Sequence, residues 1–315
     1  MKVVVTGGAG FIGANLGREL LARPEISHVV ALDDLSTGLR SNLKGTDIEL
    51  VEDTILSPDA LDKAFSGASG VVHLAARPSV PRSVKDPMAS HHANATGTLE
   101  VLQAARRAGN IHVIVASSSS VYGANRELPK REAMRTAPIS PYAVSKQATE
   151  AYAISFGHTY DLPVLAFRFF NVYGPLQPAG HAYAAVLPAF IDAALRGTPL
   201  QVHGDGEQTR DFTYIGTLTK VIADAVVRRV TDLEPVNLAF GSRTSLNELI
   251  QLMADSLGFQ PTVEHTDPRA GDVSDSQADN SRLRAHFPEI EAVPLTEGVR
   301  ATIDWFRTLP DHQKS

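Results

Sequence analysis

The chain has 315 residues, of which 43% are hydrophobic and 20% are charged, so it can bury a large core and has the composition of an ordinary globular protein. Its net charge of -6 gives no electrostatic reason to expect a nucleic-acid partner, and the lack of cysteine excludes disulfides and thiolate metal sites. The eleven histidines form no metal-ligand spacing, the N-terminus does not resemble a signal peptide, and no apolar run is long enough to cross a membrane. We therefore expect a cytoplasmic protein with neither a metal site nor a membrane partner.

The chain opens on a strand that is followed by a glycine-rich turn. Lys2–Thr6 is rich in valine, and a helical pattern of leucines begins a few residues later. Between them, Gly7, Gly10 and Gly13 give the spacing G-x-x-G-x-x-G. In such a turn the first glycine permits the tight bend, the second lets a pyrophosphate approach the backbone, and the third lets the helix pack on the strand. The sequence therefore predicts a dinucleotide-binding turn.

A carboxylate stands at the end of the second predicted strand. Val29–Leu32 has the pattern of a buried strand and leads to Asp33, twenty residues after Gly13. A carboxylate at this place can accept a hydrogen bond from a ribose 2′-hydroxyl and repels a 2′-phosphate, so NAD is favoured over NADP. Asp34 could share or replace this role.

Strands alternate with helices as far as residue 170. The further predicted strands are Ile48–Val51, Val71–Ala76, Ile111–Ala116 and Val164–Phe169. Asp53 follows one of them as a candidate for the adenine rim, and Asn94 begins a helix that continues over Gly97–Ala108. This alternation predicts an α/β fold with a Rossmann-type, doubly wound parallel sheet and ligands at the carboxyl ends of its strands.

A tyrosine and a lysine lie one helical turn apart in the segment after residue 140. Ser140 is a good N-cap and Pro141 a good first helical residue, so Tyr142 and Lys146 share one helix face. A phenol has a pKa of about 10, so a tyrosine acts as a base near neutral pH only where positive charge stabilises its phenolate. The ammonium of Lys146 could supply this charge, and an oxidised nicotinamide would add more. A serine from the preceding strand end could share a proton with a substrate alcohol.

The character of the chain changes after residue 174. Prolines and glycines mark a loop-rich region around a helix predicted at Ala189–Leu195. The later predicted elements are strands within Arg210–Tyr214 and Val236–Phe240 and helices at Leu246–Leu257 and Gly298–Phe306. We expect an NAD-binding domain over residues 1–174, with a returning segment near 212–240, and a smaller, mainly substrate-binding α/β domain over 175–315. The tail from Pro310 is predicted to be disordered.

Several motifs, in the right order along the chain, resemble the extended short-chain dehydrogenase/reductase family. They are Thr6–Gly13, His73–Ala76, Ser117–Gly123, Tyr142 with Lys146, Arg168–Pro175, and Gly204–Gly206 with Arg210–Phe212. The resemblance covers almost the whole chain and is closest to the nucleotide-sugar epimerases and dehydratases, in particular the UDP-hexose 4-epimerases. It implies NAD as cofactor, a UDP-sugar as substrate, and a homodimer formed through two helices that include the one bearing Tyr142.

The resemblance also implies a mechanism. Tyr142 looks like the base that takes the proton of the sugar 4-hydroxyl, and Ser118 like the serine that bridges this hydroxyl and Tyr142. Lys146 is implied to lower the pKa of Tyr142 and to bind the nicotinamide ribose. Hydride would leave C4 for NAD, the 4-keto sugar would turn within the site, and hydride would return to its opposite face. The cofactor would be regenerated and stay tightly bound.

Two sets of binding residues follow from the same resemblance. The cofactor set is Gly7, Gly10, Phe11, Ile12, Gly13, Asp33, Asp34, Asp53, Leu74, Ala75, Ala76, Asn94, Tyr142, Lys146 and Phe169. The substrate set is Ser118, Ser119, Tyr142, Asn171, Val186, Arg210 and Arg269. Arginines suit the diphosphate of a nucleotide sugar because their planar fork makes bidentate contacts with phosphate.

Ser119 and Ser120 distinguish epimerisation from the dehydration and decarboxylation reactions of related enzymes. In 4,6-dehydratases that resemble this chain, the two positions after the catalytic serine or threonine are Asp and Glu, which eliminate water from C5 and C6. Ser119 and Ser120 cannot act as acids or bases at neutral pH, which disfavours dehydration and decarboxylation. A nucleotide-sugar lyase that begins with the same C4 oxidation, and a non-catalytic NAD-sensing protein, are the alternatives from other functional classes.

Three positions bear on substrate and cofactor preference. Ser276, seven positions after Arg269, is small, and the resemblance implies that a small residue there leaves room for a 2-N-acetyl group, as in UDP-GlcNAc and UDP-GalNAc. UDP-glucuronate is the near rival substrate, because its 4-epimerases share the serine motif, although they carry Thr where this chain has Asn171. Pro78 stands where some 4-epimerases place a lysine near the cofactor, so we expect weaker NAD retention than usual.

Overall fold

The computed structural model describes residues 1–179, 184–267 and 275–310. The strands in chain order are β1 (Lys2–Thr6), β2 (His28–Asp33), β3 (Glu49–Glu52), β4 (Gly70–His73), β5 (His112–Ser118), β6 (Val164–Phe169), β7 (Val172–Tyr173), β8 (Leu200–His203), β9 (Thr209–Arg210), β10 (Thr213–Tyr214), β11 (Val236–Leu238), β12 (Thr244–Ser245) and β13 (Val263–Thr266). The helices are α1 (Phe11–Leu21), α2 (Pro58–Phe65), α3 (Val80–Lys85), α4 (Pro87–His91), α5 (Gly97–Arg107), α6 (Pro141–Tyr160), α7 (Val186–Leu195), α8 (Ile215–Arg228), α9 (Leu246–Leu257), α10 (Ser281–His286) and α11 (Leu295–Arg307).

The central feature is a seven-stranded sheet with the order β11-β6-β5-β4-β1-β2-β3, and all its neighbours pair in parallel. Its inner strands β1, β4 and β5 are buried almost throughout, which fits their continuous runs of valine and isoleucine. The strand order reverses between β1 and β4, and in such sheets the ligand crevice opens at the carboxyl ends beside this switch point. The predicted Rossmann-type sheet is confirmed.

Apolar helix faces cover both sides of the sheet. On one side α2, α5 and α6 contribute Leu61, Leu102 and Phe156 to a core with the sheet valines. On the other side α1 and α8 contribute Leu16 and Val221. The sequence prediction missed α8, whose many β-branched residues have low helix propensity. Burial against α1 and the sheet outweighs that local preference.

Helix α6 begins where the sequence predicts. The Ser140 hydroxyl accepts a hydrogen bond from the Ala143 N–H at 3.2 Å, and Pro141 is the first helical residue. The N–H of Tyr142 donates to the hydroxyl of Ser83 at 3.0 Å, so α3 also holds this end of the helix. The helix runs for 20 residues and ends at Asp161, which is left-handed with φ 52°. The position of Tyr142 is therefore set by its own helix start and by a neighbouring helix.

A second core lies outside the large sheet. It joins α7, α9 and α11 with the two-stranded sheet of β8 and β13, and includes Leu187, Met253 and Ile303. Neither β8 nor β13 was predicted. Helix α7 begins at Val186 instead of Ala189, because a proline is tolerated in the first turn of a helix and Pro188 lies there.

The segment Arg210–Tyr214 does not return to the large sheet as the sequence suggested. It holds β9, which pairs antiparallel with β12, and β10, which pairs in parallel with β7. The strand that does return is β11, which pairs with β6 and extends the sheet at that edge. The predicted strand at Val236–Phe240 is therefore confirmed but ends earlier.

Asn94 does not begin a helix. It lies inside a π-helical turn, His92–Thr96, between α4 and α5. Such turns shift the following helix and are frequent at functional sites. Within the described ranges, no helix is long and apolar enough to cross a membrane.

Candidate active site

In the glycine turn after β1, the backbone passes close to the segment after β4 and to the start of α1. Gly7 has φ +69°, and a Cβ added there would lie 2.8 Å from the backbone nitrogen of Ala75. A Cβ on Gly13 would lie 2.2 Å from the Gly7 carbonyl oxygen, so this glycine lets α1 pack against the turn. A Cβ on Gly10 would instead meet a single atom within 4 Å, the Gly7 oxygen at 3.2 Å. The outer side of Gly10 is open, as the approach of a pyrophosphate requires.

Helix α1 points its N-terminus at this open side. Gly10 is its N-cap, no side chain caps it, and its first residues are Phe11, Ile12 and Gly13. The first N–H groups of a helix have no partner within the helix, and together with the helix dipole they favour an anion. The turn and the helix start therefore fit the pyrophosphate of a dinucleotide.

Asp33, at the end of β2, connects the glycine turn to the next loop. Its Oδ2 accepts from the Ala9 N–H and its Oδ1 from the Leu35 N–H, both at 2.9 Å. Gly38 passes so close that an added Cβ would lie 2.7 Å from Oδ1. Burial raises the pKa of Asp33, and the two N–H groups act against this rise. Each carboxylate oxygen has further lone pairs, so Asp33 can also accept from a ribose hydroxyl.

The other two carboxylates of the predicted cofactor set are exposed. Asp34 accepts from the N–H of Ser36 at 2.9 Å and from its hydroxyl at 2.6 Å. Asp53 follows β3 and accepts from the N–H of Thr54 at 2.7 Å. Asp33 is thus the carboxylate that is bonded to the glycine turn, and contacts of Asp34 and Asp53 with a cofactor stay predictions.

The segment Leu74–Ala76 lies against the glycine turn. The N–H of Leu74 donates to the Thr6 carbonyl at 3.1 Å, and the N–H of Ala75 donates to the Thr6 hydroxyl at 3.3 Å. These bonds hold the end of β4 beside the end of β1. Small side chains at Ala75 and Ala76 leave room for a ligand along this backbone.

Asn94 connects the same segment to the helix of Tyr142. Its Oδ1 accepts from the N–H of Arg77 at 2.7 Å, and its Nδ2 donates to the hydroxyl of Ser145 at 2.9 Å. Asn94 is buried, and Ser145 in turn donates to the Tyr142 carbonyl at 2.8 Å. The structure therefore gives Asn94 a positioning role, and its direct contact with a cofactor stays a prediction.

The three predicted catalytic side chains meet at the carboxyl end of β5. The Tyr142 phenol lies near enough to the Ser118 hydroxyl for Ser118 to act on the pKa of Tyr142. The Oγ of Ser118 accepts from the N–H of Ser120 at 3.2 Å and from its hydroxyl at 3.0 Å. The ammonium of Lys146 donates to the carbonyl of Ala116 at 2.8 Å, two residues before Ser118. This is a compact group in which a proton could pass between hydroxyls.

Burial dominates the electrostatics of this group. It raises the pKa of Tyr142, and the hydrogen bond with Ser118 acts in the opposite direction. Burial lowers the pKa of Lys146 to about 8. The sequence predicts that the ammonium of Lys146 stabilises the Tyr142 phenolate. In the structure that ammonium is bonded to the Ala116 carbonyl, and Ser118 is the neighbour that favours ionisation of Tyr142.

The predicted substrate residues come from several elements. Ser119 opens a 3-10 turn after β5, Phe169 of the cofactor set ends β6, Val186 opens α7, and Arg210 lies in β9. Asn171 has φ +31° and donates its Nδ2 to the carbonyl of Asp211 at 3.1 Å. Arg269 lies outside the described residues. Their contacts with a sugar nucleotide stay predictions.

Asp211 was assigned no role from the sequence, although it lies in the quoted Arg-Asp-Phe motif. Its carboxylate has no exposed surface and accepts from the Gly241 N–H at 3.1 Å, the Ala278 N–H at 3.0 Å and the Ser242 hydroxyl at 3.0 Å. Burial raises the pKa of Asp211 to about 6. Asp211 thus joins β9 to the loop after β11 and to the segment that follows residue 274. The signal that the sequence offered for such a role was the presence of a carboxylate inside this motif.

Sequence reasoning also missed the ion pair that fixes α6 to the sheet. Glu150, one turn beyond Lys146, binds Arg168 of β6 through two hydrogen bonds of 2.6 and 2.9 Å. Both side chains are buried, and the guanidinium of Arg168 lies 4.7 Å from the centre of the Tyr122 ring. Glu150 follows Lys146 by four residues and therefore shares its helix face. Because a buried carboxylate is almost always paired with a charge, this spacing was the signal for an ion pair.

Comparison with known proteins agrees with this geometry. The profile of the NAD dependent epimerase/dehydratase family matches residues 3–239. The UDP-glucose 4-epimerase of Mycolicibacterium smegmatis is 37% identical over 316 residues, which cover 98% of this chain and 99% of that one. The chain therefore belongs to the NAD dependent epimerase/dehydratase family, as the resemblance of its motifs predicted.

Solved structures agree over the same length. The UDP-N-acetylglucosamine 4-epimerase from Methanobrevibacter ruminantium, in complex with UDP-N-acetylmuramic acid, has a TM-score of 0.90 and 36% identity and covers 98% of each chain. The UDP-glucose 4-epimerase from Thermus thermophilus, in complex with NAD, has a TM-score of 0.87 and 34% identity, over 98% of this chain and 99% of that one. The similarity extends over both cores of the fold.

Proposed function

We propose that this chain catalyses the NAD-dependent 4-epimerisation of a UDP-hexose, with UDP-glucose and UDP-galactose as the first candidate substrates. The observation that carries the proposal is the grouping of Ser118, Tyr142 and Lys146 at the end of β5, on the same edge of the sheet as the open glycine turn. Such a grouping suits the removal of a proton from an alcohol that is held beside a dinucleotide. When bound, NAD supplies the hydride acceptor and a positive charge. Relatives that are named UDP-glucose 4-epimerases and match almost the whole length of the chain support this assignment.

In this proposal each side chain has a distinct task. Tyr142 takes the proton of the sugar 4-hydroxyl and later returns it, while the Ser118 hydroxyl bonds both oxygens and orients them. Lys146 keeps its proton at neutral pH, because its pKa is about 8, and its ammonium holds α6 against β5 through the Ala116 carbonyl and binds the nicotinamide ribose. Residues 1–174, with the returning segment near 212–240, hold the cofactor, and the remainder of 175–315 mainly holds the sugar nucleotide and excludes water from the keto stage.

The residues beside Ser118 argue against elimination. Ser119 and Ser120 follow the catalytic serine, and Ser120 directs its hydroxyl to the Ser118 oxygen at 3.0 Å. A hydroxyl is neither an acid nor a base at neutral pH, so no group at these positions can remove a proton from C5 or expel water from C6. Epimerisation is therefore favoured over dehydration within the same family.

The substrate range is proposed to include UDP-GlcNAc and UDP-GalNAc. Its support is the small side chain of Ser276, whose N–H donates to the Thr209 carbonyl at 3.1 Å, next to Arg210 of the predicted substrate set. Ser276→Tyr should reduce turnover of the N-acetyl pair and spare the glucose and galactose pair. Unchanged turnover of the N-acetyl pair would contradict this assignment.

The decisive experiment is a panel of UDP-hexoses, including UDP-glucuronate, incubated without added nicotinamide. Products are identified by mass spectrometry and by the coupling constants of the sugar protons in NMR. An epimerase gives a product of unchanged mass with inverted C4, whereas a lyase gives a product that has lost water. Turnover of UDP-glucuronate alone would favour the uronate 4-epimerase instead. If activity requires added NAD, cofactor retention is weak, as Pro78 suggests.

We further propose a homodimer through two helices, one of which is α6. Apolar side chains are exposed along α6 and beside its start, among them Val144 (53%), Tyr152 (40%) and Met88 (61%). A patch of this kind is typical of a subunit interface. Tyr152→Glu should convert a dimer to a monomer in light scattering, whereas Phe259→Glu, at a similarly exposed position on another surface, should not.

Because the proposed reaction uses NAD and a nucleotide sugar, we propose that the protein works in the cytoplasm, which cell fractionation would test.

A further inference from the structure

His73, the last residue of β4, is a buried histidine that no step of the proposed reaction uses. It is 2% exposed. Its Nδ1 lies 2.7 Å from the Thr6 hydroxyl oxygen, and its Nε2 lies 3.0 Å from the Thr98 hydroxyl oxygen. Both nitrogens are thus bonded, one toward β1 and the other toward α5.

The direction of each hydrogen bond follows from the distances. The Thr98 hydroxyl oxygen lies 2.5 Å from the Asn94 carbonyl oxygen, and because a carbonyl cannot donate, the hydroxyl hydrogen must lie between them. Thr98 can therefore only accept from His73, so Nε2 carries a hydrogen. Burial, and to a smaller extent the charge of Lys146, lowers the pKa of His73 to about 3. The ring is therefore neutral, and Nδ1 carries no hydrogen. The Thr6 hydroxyl then donates to Nδ1 while it accepts from the Ala75 N–H at 3.3 Å.

The imidazole consequently has two arms of opposite polarity. The acceptor arm runs from Nδ1 through Thr6 to Ala75, which packs against the glycine turn. The donor arm runs from Nε2 to Thr98, whose hydroxyl oxygen lies 3.1 Å from that of Thr149 on α6. Helix α6 carries Tyr142 and Lys146. A single neutral ring therefore spans the gap between the predicted cofactor surface and the catalytic helix.

We propose that His73 is a positioning residue that sets the catalytic helix against the cofactor surface, its acceptor arm shaping the NAD site and its donor arm placing Tyr142. This inference rests on the proposed function for its catalytic half, and on the geometry of the glycine turn for its cofactor half. The tautomer of the His73 ring matters, because only the form with a hydrogen on Nε2 and none on Nδ1 satisfies both Thr6 and Thr98.

Two substitutions separate the arms. His73→Asn places an amide oxygen near the position of Nδ1 and so keeps an acceptor for Thr6, but it cannot reach Thr98. His73→Gln places an amide nitrogen near the position of Nε2 and so keeps a donor for Thr98, but it loses the acceptor at Nδ1. NAD affinity is measured by titration calorimetry and turnover with saturating NAD and UDP-hexose, and melting temperatures show whether each variant is folded.

We expect His73→Asn to bind NAD with near-native affinity and to lose about 10-fold or more in kcat, since one lost hydrogen bond is worth about that factor. We expect His73→Gln to show the reverse, with an NAD Kd raised about 10-fold and kcat less affected. Equal losses in both quantities for both variants, or no loss in either, would overturn the inference. If a His73 variant does not fold, two threonine variants remove the same hydrogen bonds one at a time. Thr6→Val removes the acceptor arm and should raise the NAD Kd, whereas Thr98→Val removes the donor arm and should lower kcat.

The outcomes also separate this inference from the proposed function. If the wild-type chain turns over no member of the UDP-hexose panel, the proposed function fails. The NAD affinities of His73→Asn and His73→Gln then still decide the cofactor half, because titration with NAD needs no sugar substrate.

Discussion

The ammonium of Lys146 lies 2.8 Å from the carbonyl oxygen of Ala116, and this bond ties α6 to β5 two residues before Ser118. Because Tyr142 stands one turn earlier on the same helix, the bond also helps to hold Tyr142 beside Ser118. Lys146 therefore contributes to the geometry of the site as well as to its charge.

Removing the phenol should abolish turnover. We expect Tyr142→Phe to lower kcat by about 100-fold to 10,000-fold, the range typical of a general base, because no other group bonded to Ser118 can take its place. NAD should still bind, since the glycine turn is untouched. Tyr160→Phe, at the exposed end of the same helix, is the matched control and should keep full activity. An active Tyr142→Phe variant would contradict the role of this residue.

The hydrogen bond from Ser118 should be visible in the pH profile. This bond lowers the pKa of Tyr142 against the effect of burial, so Ser118→Ala should shift the acid limb of kcat to higher pH. At neutral pH we expect kcat to fall about 10-fold or more, because less phenolate is present. Ser120→Ala keeps the Ser118 hydroxyl and should shift the limb less. A profile of Ser118→Ala that matches the wild type would exclude a role of this bond in ionisation.

A single methyl group should separate cofactor binding from stability. Gly10→Ala adds a Cβ that meets only the Gly7 oxygen at 3.2 Å, and φ at Gly10 is -77°, so the fold should tolerate it. The methyl group would occupy the open side of the turn, and we expect the NAD Kd to rise about 10-fold or more. Calorimetry with NAD and a thermal melt measure the two quantities. A native NAD affinity in this variant would place the pyrophosphate elsewhere.

A buried histidine remote from the active site should make the fold sensitive to acid. The Nε2 of His112 bonds the Val230 carbonyl oxygen at 2.9 Å, and burial lowers the pKa of His112 from 6.5 to about 4. Between these values the unfolded chain binds more protons than the native one, so stability is complete above the upper value and is lost as pH falls. At about pH 5 the loss amounts to about 2 kcal/mol.

His112→Gln tests this contribution, because its amide can still donate to Val230 but does not titrate. The free energy of unfolding in urea, measured near pH 7 and near pH 5, should fall by about 2 kcal/mol less in the variant than in the wild type. Equal decreases in both proteins would assign the acid sensitivity to other groups.

The sequence predicts the parts of the fold that local pattern controls. The valine runs, the glycine spacing and the Ser140 cap give β1, the turn and the start of α6, because neighbouring residues determine each of them. Helix α8 escapes prediction because its β-branched residues become helical only when they pack on α1 and the sheet. The strands β8 and β13 escape because each is short and is stabilised by pairing with the other, far along the chain.

The same limit applies to the site. Motifs identify Tyr142, Ser118 and Lys146, but only the structure reveals that Lys146 bonds Ala116 and that Ser118 acts on the pKa of Tyr142. Asp211 has partners from two segments distant in sequence, so no local pattern indicates its bonds.

The place of β11 in the sheet has a consequence for synthesis on the ribosome. Strand β6 is complete at residue 169, but the neighbour that pairs with its outer edge is not made until residue 238. In the interval the nascent chain carries an unpaired, apolar strand edge, which is a template for aggregation. A chain that is cut between the two strands would keep that edge permanently, so we expect such fragments to precipitate even though they contain the whole glycine turn and the catalytic helix.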